Sequence, residues 1–136
     1  YDRHTRLDEL MRALDDEVAR GRVLHVGISN APAWVVATAN TLAAERGLTP
    51  FTALQLHYNL VERRIEADFF ALAATFDLGL TAWSPLAGGL LSGKYAGSGT
   101  AGRLAGARGA RTLTPANLAA AAGLARLAAD AGCTPA

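Results

Sequence analysis

Three short apolar segments, each reached through a segment with helical periodicity, constrain the fold of this chain more than any other feature. They start near residues 23, 52 and 80, at regular intervals along the sequence. An alternation of strand and helix at this spacing predicts parallel strands joined by right-handed crossovers. The sequence therefore predicts an α/β fold with three parallel strands.

Residues that begin and end helices mark the borders of the predicted elements. Strands are predicted at 23–28, 52–57 and 80–83. Helices are predicted from Thr5 to Gly21, from Pro32 to Arg46, from Ile65 to Phe76 and from Thr114 to Gly132. Thr5 and Thr114 would cap the starts of their helices, and Gly47 would end the second helix. Residues 96–113 are rich in glycine and lack an apolar period, which predicts a flexible loop. The chain begins at Tyr1 and ends as if another helix were starting, so we expect a fold truncated at both ends.

The composition limits the class of protein. The chain has 136 residues, 51% of them hydrophobic, which is the size of one domain with enough apolar side chains for a core. Its net charge of +1 gives no basic surface field, so we expect no nucleic-acid partner. No apolar run is long enough to cross a bilayer, so we expect no membrane partner. A single cysteine, Cys133, excludes an internal disulfide and favours a cytoplasmic location.

The stretch from Leu80 to Tyr95 carries the residues that most suggest a ligand. It begins as a strand, which Pro85 ends because proline cannot donate to a sheet ladder, and it continues as a loop with two adjacent glycines. Glycine lets backbone amides approach a ligand closely, and hydroxyls near Lys94 suit a phosphate group. Trp83 offers a flat ring for stacking. The stretch predicts a nucleotide-like ligand over the end of a strand; the alternative is a buried tryptophan before a flexible turn.

Polar side chains also occur at the other two predicted strands. Ser29 and Asn30 follow the first strand, and Gln55 lies within the second. Parallel α/β folds bind ligands outside the carboxyl ends of their strands, so these residues and Trp83 are candidates for one site. A buried Gln55 needs partners for its amide, which a ligand with a carboxamide would supply. The alternatives are that Asn30 caps the following helix and that Gln55 bonds only to protein groups.

These segments resemble those of the aldo/keto reductase family. The resemblance rests on three ordered motifs, Gly21 to Asn30 (GRVLHVGISN), Leu54 to Leu60 (LQLHYNL) and Trp83 to Tyr95. It implies a (β/α)8 TIM barrel, a fold of about 250 residues, of which residues 1–136 would form an incomplete domain. It also implies NADP(H) as the cofactor and hydride transfer to or from a carbonyl. The preference for NADP over NAD follows from the resemblance alone.

The resemblance further implies roles for individual residues. Ser29, Asn30 and Gln55 would hold the nicotinamide carboxamide, and Trp83 would stack on the nicotinamide ring. The residues expected around the pyrophosphate are Ser84, Pro85, Leu86, Gly88 and Lys94, with Arg103 further along the loop.

The catalytic groups of the family are not matched in this chain. The family uses an aspartate, a tyrosine, a lysine and a histidine, and the tyrosine gives a proton to the carbonyl oxygen. By resemblance all four lie upstream of Tyr1, and neither His4, nor His25 inside the first predicted strand, nor His57 fits the place of the histidine. We therefore assign no catalytic residue and no metal site, and we expect His25 and His57 to be structural.

The favoured hypothesis is that the chain is part of an NADP(H)-dependent oxidoreductase that reduces aldehydes or ketones, with a small carbonyl compound as substrate. The isolated 136 residues are expected to be inactive and to bind the cofactor weakly at best. The alternative is a non-catalytic nucleotide-binding regulatory or half-barrel subunit. A barrel that binds flavin phosphate is a third possibility, but it would not explain Ser29, Asn30 and Gln55 together.

Overall fold

Three parallel strands form one sheet in the order β1-β2-β3, with helices between them in the sequence. The structure, a computed structural model, describes residues 2–96, 102–104 and 106–136, and at 107 and 108 it describes only the backbone. The elements are α1 (Leu7–Ala19), β1 (Val26–Ser29), α2 (Ala33–Arg46), β2 (Phe51–His57), a 3-10 turn (Arg64–Glu66), α3 (Phe69–Phe76), β3 (Gly79–Trp83), a 3-10 segment (Ala87–Ser92), α4 (Ala107–Thr112) and α5 (Pro115–Asp130). The alternation predicted from the sequence is confirmed, and it is consistent with part of a (β/α)8 barrel.

The chain divides into two compact units. The first, here called the sheet unit, comprises Tyr1–Leu56 and Arg64–Trp83. The second, the loop unit, comprises His57–Arg63 and Ser84–Ala136. No helix within the described ranges has both the length and the apolar character needed to cross a membrane.

The sheet unit buries its apolar side chains between the helices and the sheet. One cluster joins α1 and α2 to the first residues of β1 and β2 and contains Met11, Val26, Ala39, Ala43 and Phe51. The other joins α2 and α3 to β2 and contains Ala31, Val35, Val36, Leu54, Leu56, Leu72, Ala73 and Leu78. Between α2 and β2 the buried Asn40 carboxamide donates to the carbonyl oxygen of Phe51 and accepts from its N–H, both at 3.0 Å, so its nitrogen and its oxygen each have a partner.

The third strand is much less buried than the other two. All five residues of β3 are exposed, including Leu80 at 44% and Trp83 at 39%. β3 is the last strand of the described sheet. Since each strand of a closed barrel has two neighbours, exposure at such an edge is what a partial barrel would show.

The first strand begins later than predicted. Val26 is its first residue and pairs with Phe51, the first residue of β2. Val23 and Leu24 are 39% and 82% exposed, and His25 is exposed as well. These three residues precede the start of the neighbouring strand, so they have no ladder to join. The prediction of a strand from residue 23, with His25 inside it, is therefore wrong over 23–25.

Two helix starts also differ from the prediction. The N-cap of α1 is Arg6, without a side-chain cap, and the Thr5 hydroxyl instead donates to Asp2 Oδ2 at 2.8 Å. The predicted helix from Ile65 is divided, because Asp68 has a non-helical φ of −121° between the 3-10 turn and α3. Its first four residues are therefore not α-helix.

The loop unit contains a small hairpin, the glycine-rich segment and α5. In the hairpin, residues 57–63, Asn59 and Glu62 exchange two backbone hydrogen bonds of 3.1 Å. Apolar side chains of the glycine-rich segment and α5 share one cluster, whose buried members are Ala87, Leu90, Leu91, Tyr95, Leu104 and Ala121. Thr114 caps α5 as predicted, since its hydroxyl oxygen accepts from Asn117 N–H at 3.2 Å.

The segment 96–113 is not loop throughout. It includes α4, and residues 97–101 and 105 of the predicted flexible loop lie outside the described residues. A helix of six residues is too short to require an apolar period, and alanine and arginine both favour helix, so the sequence pattern did not indicate it. The flexibility of the segment stays a prediction.

Candidate functional site

A chain of hydrogen bonds links the carboxyl ends of the three strands in the sheet unit. The Ser29 hydroxyl donates to the backbone carbonyl oxygen of Gln55 at 2.9 Å. The Asn30 Nδ2 group donates to Ser29 Oγ at 2.9 Å, and the Trp83 indole Nε1–H donates to Asn30 Oδ1 at 3.1 Å. The structure therefore brings together four of the residues that the sequence singled out.

Asn30 is the central residue of this chain of bonds. Its φ of 54° lies in the left-handed region, which asparagine adopts more readily than most other residues. The alternative interpretation of Asn30 as a helix cap is wrong, because the N-cap of α2 is Pro32 and makes no side-chain cap bond. The carboxamide instead joins Ser29 on one side to Trp83 on the other.

Trp83 is held at its indole nitrogen and is partly exposed. The residue is 39% exposed, so the alternative of a buried tryptophan is wrong. The bond from Nε1–H to Asn30 restricts the orientation of the indole ring. A ring that is exposed but oriented can stack on a planar ligand at a smaller loss of conformational entropy than a mobile one.

Gln55 is placed differently from the expectation. Its neighbours Leu54 and Leu56 are 1% and 4% exposed, whereas Gln55 itself is exposed. Alternate residues of a strand point to opposite faces, so Gln55 lies on the face away from the buried leucines. The expectation that Gln55 is buried and must satisfy its amide is therefore wrong. The exposed Gln55 amide can bond water, so folding does not require a ligand contact at this residue.

The glycine-rich segment in the loop unit is a series of tight turns. Ser84 and Ala87 have positive φ values of 57° and 49°, although neither is glycine. Ala87 N–H donates to Ser84 O and Gly89 N–H donates to Leu86 O, both at 2.9 Å. The Ser92 hydroxyl donates to Gly89 O at 2.8 Å. The segment is thus internally bonded, with strained backbone at its first turn.

Side chains lie close to two glycines in this segment. A Cβ at Gly88 would lie 3.0 Å from Leu104 Cδ2, and one at Gly89 would lie 2.7 Å from Lys94 Nζ. Both glycines also have positive φ, 68° and 96°. The exposed Lys94 ammonium therefore lies directly against the backbone of the turn, and its Nζ is 5.2 Å from the centre of the Tyr95 ring. An ammonium group beside glycine backbone can bind an anion.

The other residues predicted for the pyrophosphate are distributed along the same unit. Pro85 is exposed, and Leu86 is partly buried against the apolar cluster. Arg103 is exposed, and no described contact joins its side chain to Lys94. A Cβ at the preceding residue, Gly102, would lie 3.3 Å from Lys94 Nζ, so the backbone next to Arg103 passes close to that ammonium.

Sequence reasoning assigned no role to Asn59, which the structure connects to the glycine-rich segment. Its Nδ2 group donates to Ser84 O at 3.1 Å and lies 3.3 Å from His57 Nε2. In the sequence, Asn59 belongs to the motif from Leu54 to Leu60, but no role was assigned to its side chain. Within the described ranges, no group of three or more His, Cys, Asp or Glu residues is placed to hold a metal ion.

A three-stranded parallel sheet with a bonded row of polar groups at its strand ends is typical of α/β proteins that bind ligands at the carboxyl edge of the sheet. A sequence profile of the Aldo/keto reductase family matches residues 1–136, and the chain belongs to that family. The resemblance stated from the three motifs is therefore confirmed.

Individual relatives share part of this sequence. The chain is 42% identical over 89 residues to aldo-keto reductase ausK of Aspergillus calidoustus, which is 65% of this chain and 22% of that protein. It is 38% identical over 89 residues to norsolorinic acid reductase of Aspergillus flavus, 65% of this chain and 23% of that protein. A Saccharomyces cerevisiae protein that bears the name of an aryl-alcohol dehydrogenase, AAD14, is 36% identical over 96 residues, 71% of this chain and 26% of that protein. The chain thus spans about a quarter of the length of these relatives.

Proposed function

We propose that this chain contributes the cofactor-binding part of an NADP(H)-dependent oxidoreductase that reduces small aldehydes or ketones to alcohols. The observation that carries the proposal is the bonded chain from Trp83 through Asn30 and Ser29 to the Gln55 backbone. It leaves an oriented aromatic ring beside polar groups that can bond an amide. Membership of the family and the reductase names of its relatives support the reaction class.

The nicotinamide end of the cofactor is proposed to bind at the strand ends of the sheet unit. Asn30 uses one proton of Nδ2 and one lone pair of Oδ1 within the protein, so a second proton and a second lone pair remain for a ligand carboxamide. The exposed Gln55 amide can take part in the same recognition. Trp83 would stack on the ring, and these contacts together would select which face of the ring is presented. When bound, the cofactor supplies the hydride.

The pyrophosphate is proposed to bind at the turns of the loop unit. Ser84, Pro85, Leu86, Gly88 and Lys94 form or border these turns, with Arg103 as a further cation. The fit rests on the close approach of Lys94 Nζ to the Gly89 backbone, since a Cβ at residue 89 would lie 2.7 Å from that nitrogen. There Lys94 would neutralise phosphate charge and exclude neutral competitors.

The chemical step is proposed to require residues outside this chain. No residue here matches the aspartate, tyrosine, lysine and histidine of the family, so the 136 residues alone are expected to reduce no carbonyl compound. The preference for NADP over NAD and a cytoplasmic location belong to the same proposal. Measurable carbonyl reduction by the isolated chain would contradict it.

Tryptophan emission provides the test of cofactor binding. The sequence has two tryptophans, and W34F leaves Trp83 as the single reporter. Titration of the W34F chain with NADPH is expected to quench Trp83 emission with weak affinity, and NADH is expected to bind more weakly. In the chain without W34F, W83L is expected to raise the Kd for NADPH roughly fivefold, about 1 kcal/mol, because the stacking surface is removed. Binding that W83L leaves unchanged would refute the proposed role of Trp83.

A further inference from the structure

Asn59 is a buried polar residue that has no role in the cofactor binding proposed above. Its side chain is in the loop unit, and the residue is 7% exposed. Among the described residues only Asn40 is a comparably buried polar side chain, and that one bonds the backbone of Phe51 within the sheet unit. Burying an amide is unfavourable unless it is bonded, so the partners of Asn59 indicate what it does.

The principal partner of Asn59 is a carbonyl at a strained position. Ser84 O accepts from Asn59 Nδ2 at 3.1 Å and from Ala87 N–H at 2.9 Å. Ser84 has a φ of 57°, a left-handed conformation that is unfavourable for a residue with a Cβ unless its surroundings hold it. The second bond, from the side chain of Asn59, is the contact outside the turn that holds this carbonyl.

Asn59 is itself firmly placed. Its Oδ1 accepts from Val61 N–H at 3.0 Å, and its backbone exchanges two hydrogen bonds with Glu62. Val61 packs against the same apolar cluster that contains Ala87 and Leu90 of the glycine-rich segment. The hairpin therefore holds the segment twice, through the side chain of Val61 and through the amide of Asn59.

We propose that Asn59 is a positioning residue that keeps Ser84 left-handed, and so orients the first turn of the glycine-rich segment for a pyrophosphate group. This inference rests on the proposed function of that segment. Asn59 acts through Ser84 and the turn behind it, and no contact of its own with the ligand is required. Without the bond to Asn59, Ser84 would relax toward negative φ and the turn would populate other conformations.

The test uses N59D, which keeps an acceptor for Val61 N–H and removes the donor to Ser84 O. The three-bond coupling between the amide and Cα protons of Ser84 and its Cβ chemical shift report φ by NMR without any ligand. Inorganic pyrophosphate at low salt is the binding probe, followed by the amide shifts of the glycine-rich segment. N59D is expected to move the Ser84 signals toward negative φ and to raise the Kd for pyrophosphate roughly fivefold, the size expected for one hydrogen bond.

A double-mutant cycle separates this role from the new negative charge of N59D. Glycine takes positive φ freely, so in an S84G background N59D is expected to change the Kd for pyrophosphate less than about twofold. Charge repulsion would weaken binding equally in both backgrounds. N117D is the matched control, because it makes the same chemical change at an amide that bonds Thr112 O elsewhere in the loop unit. N59S is an uncharged second variant should N59D fold poorly.

Each outcome decides the inference. Ser84 signals that stay unchanged in N59D and N59S, or equal losses of affinity with and without S84G, overturn it. Ser84 signals that move while pyrophosphate affinity stays constant also overturn it, because the turn would then not set the affinity. If the unsubstituted chain binds neither pyrophosphate nor NADPH, the proposed function itself fails, and the assignment of Asn59 to that function fails with it.

Discussion

Replacing Asn30 separates the two contributions that this residue makes at the strand ends. N30G removes the carboxamide, which bonds Ser29 Oγ and Trp83 Nε1–H, but keeps a residue that tolerates the φ of 54°. N30A removes the same bonds and also places a Cβ in the left-handed region. N30D retains an acceptor for Trp83 and the local preference for positive φ, and it is the matched control.

The expected losses follow from these contacts. Two exposed hydrogen bonds contribute about 1 kcal/mol together, since exposed bonds lie at the low end of the usual range. The greater freedom of glycine in the unfolded chain adds roughly 0.5 kcal/mol in N30G. Left-handed alanine adds roughly 1–2 kcal/mol instead in N30A. The free energy of unfolding should therefore fall by about 1.5 kcal/mol in N30G and by about 2–3 kcal/mol in N30A.

Urea unfolding followed by Trp83 emission in a W34F background measures the free energy of unfolding and also the emission of the folded state, because Trp83 lies in the sheet unit. The emission of the folded state should change in N30G and N30A, where the indole has lost its acceptor, and should stay close to that of the W34F chain in N30D. A loss in N30A no larger than in N30G would refute the argument from backbone strain. Unchanged folded-state emission in both would refute the argument that Asn30 orients the ring.

Two further predictions concern the stability of the framework around the site. Hydrogen bonds from the hydroxyl and the backbone N–H of Thr49 lower the pKa of Asp15 below its ordinary value of 3.8. The charged form of Asp15 therefore stabilises the folded state above that pH. This contribution to stability is lost as the pH falls through the lowered pKa. The urea midpoint of the sheet unit should therefore fall on acidification, and D15N should reduce that slope; an unaltered slope in D15N would contradict the reasoning. G27A should destabilise the sheet unit by about 1–3 kcal/mol in thermal or urea unfolding, because the added Cβ would lie 3.0 Å from Ala53 O across the strand pair. G123A in α5 is the matched control, because a Cβ at residue 123 would meet only one side-chain atom of Arg126, at 3.9 Å. G123A should stabilise the loop unit by about 0.5–1 kcal/mol, since alanine favours helix over glycine. Destabilisation by G123A as large as that by G27A would refute the packing argument.

Part of the candidate site could be predicted from the type and order of its residues. Ser29, Asn30 and Trp83 were predicted together because parallel strands end at the same edge of a sheet. Their mutual bonds were not predictable, because each depends on atoms that are 26 or 53 residues apart or on the rotamer of Asn30. Gln55 was predicted to be buried because its strand was expected to be buried, but the strand is buried on the leucine face and exposed at Gln55. Asn59 was overlooked, since its partner Ser84 is 25 residues away.

Local sequence determined the alternation of strand and helix, the end of α2 at Gly47 and the start of α5 at Thr114 and Pro115, because these depend on residues within a few positions of one another. It also determined the family, through three short motifs in order. Tertiary structure alone decided where β1 begins, which face of β2 is exposed and that Ser84 is left-handed. A strand begins only where a neighbour can complete its hydrogen bonds, and a strained residue persists only where distant groups hold it.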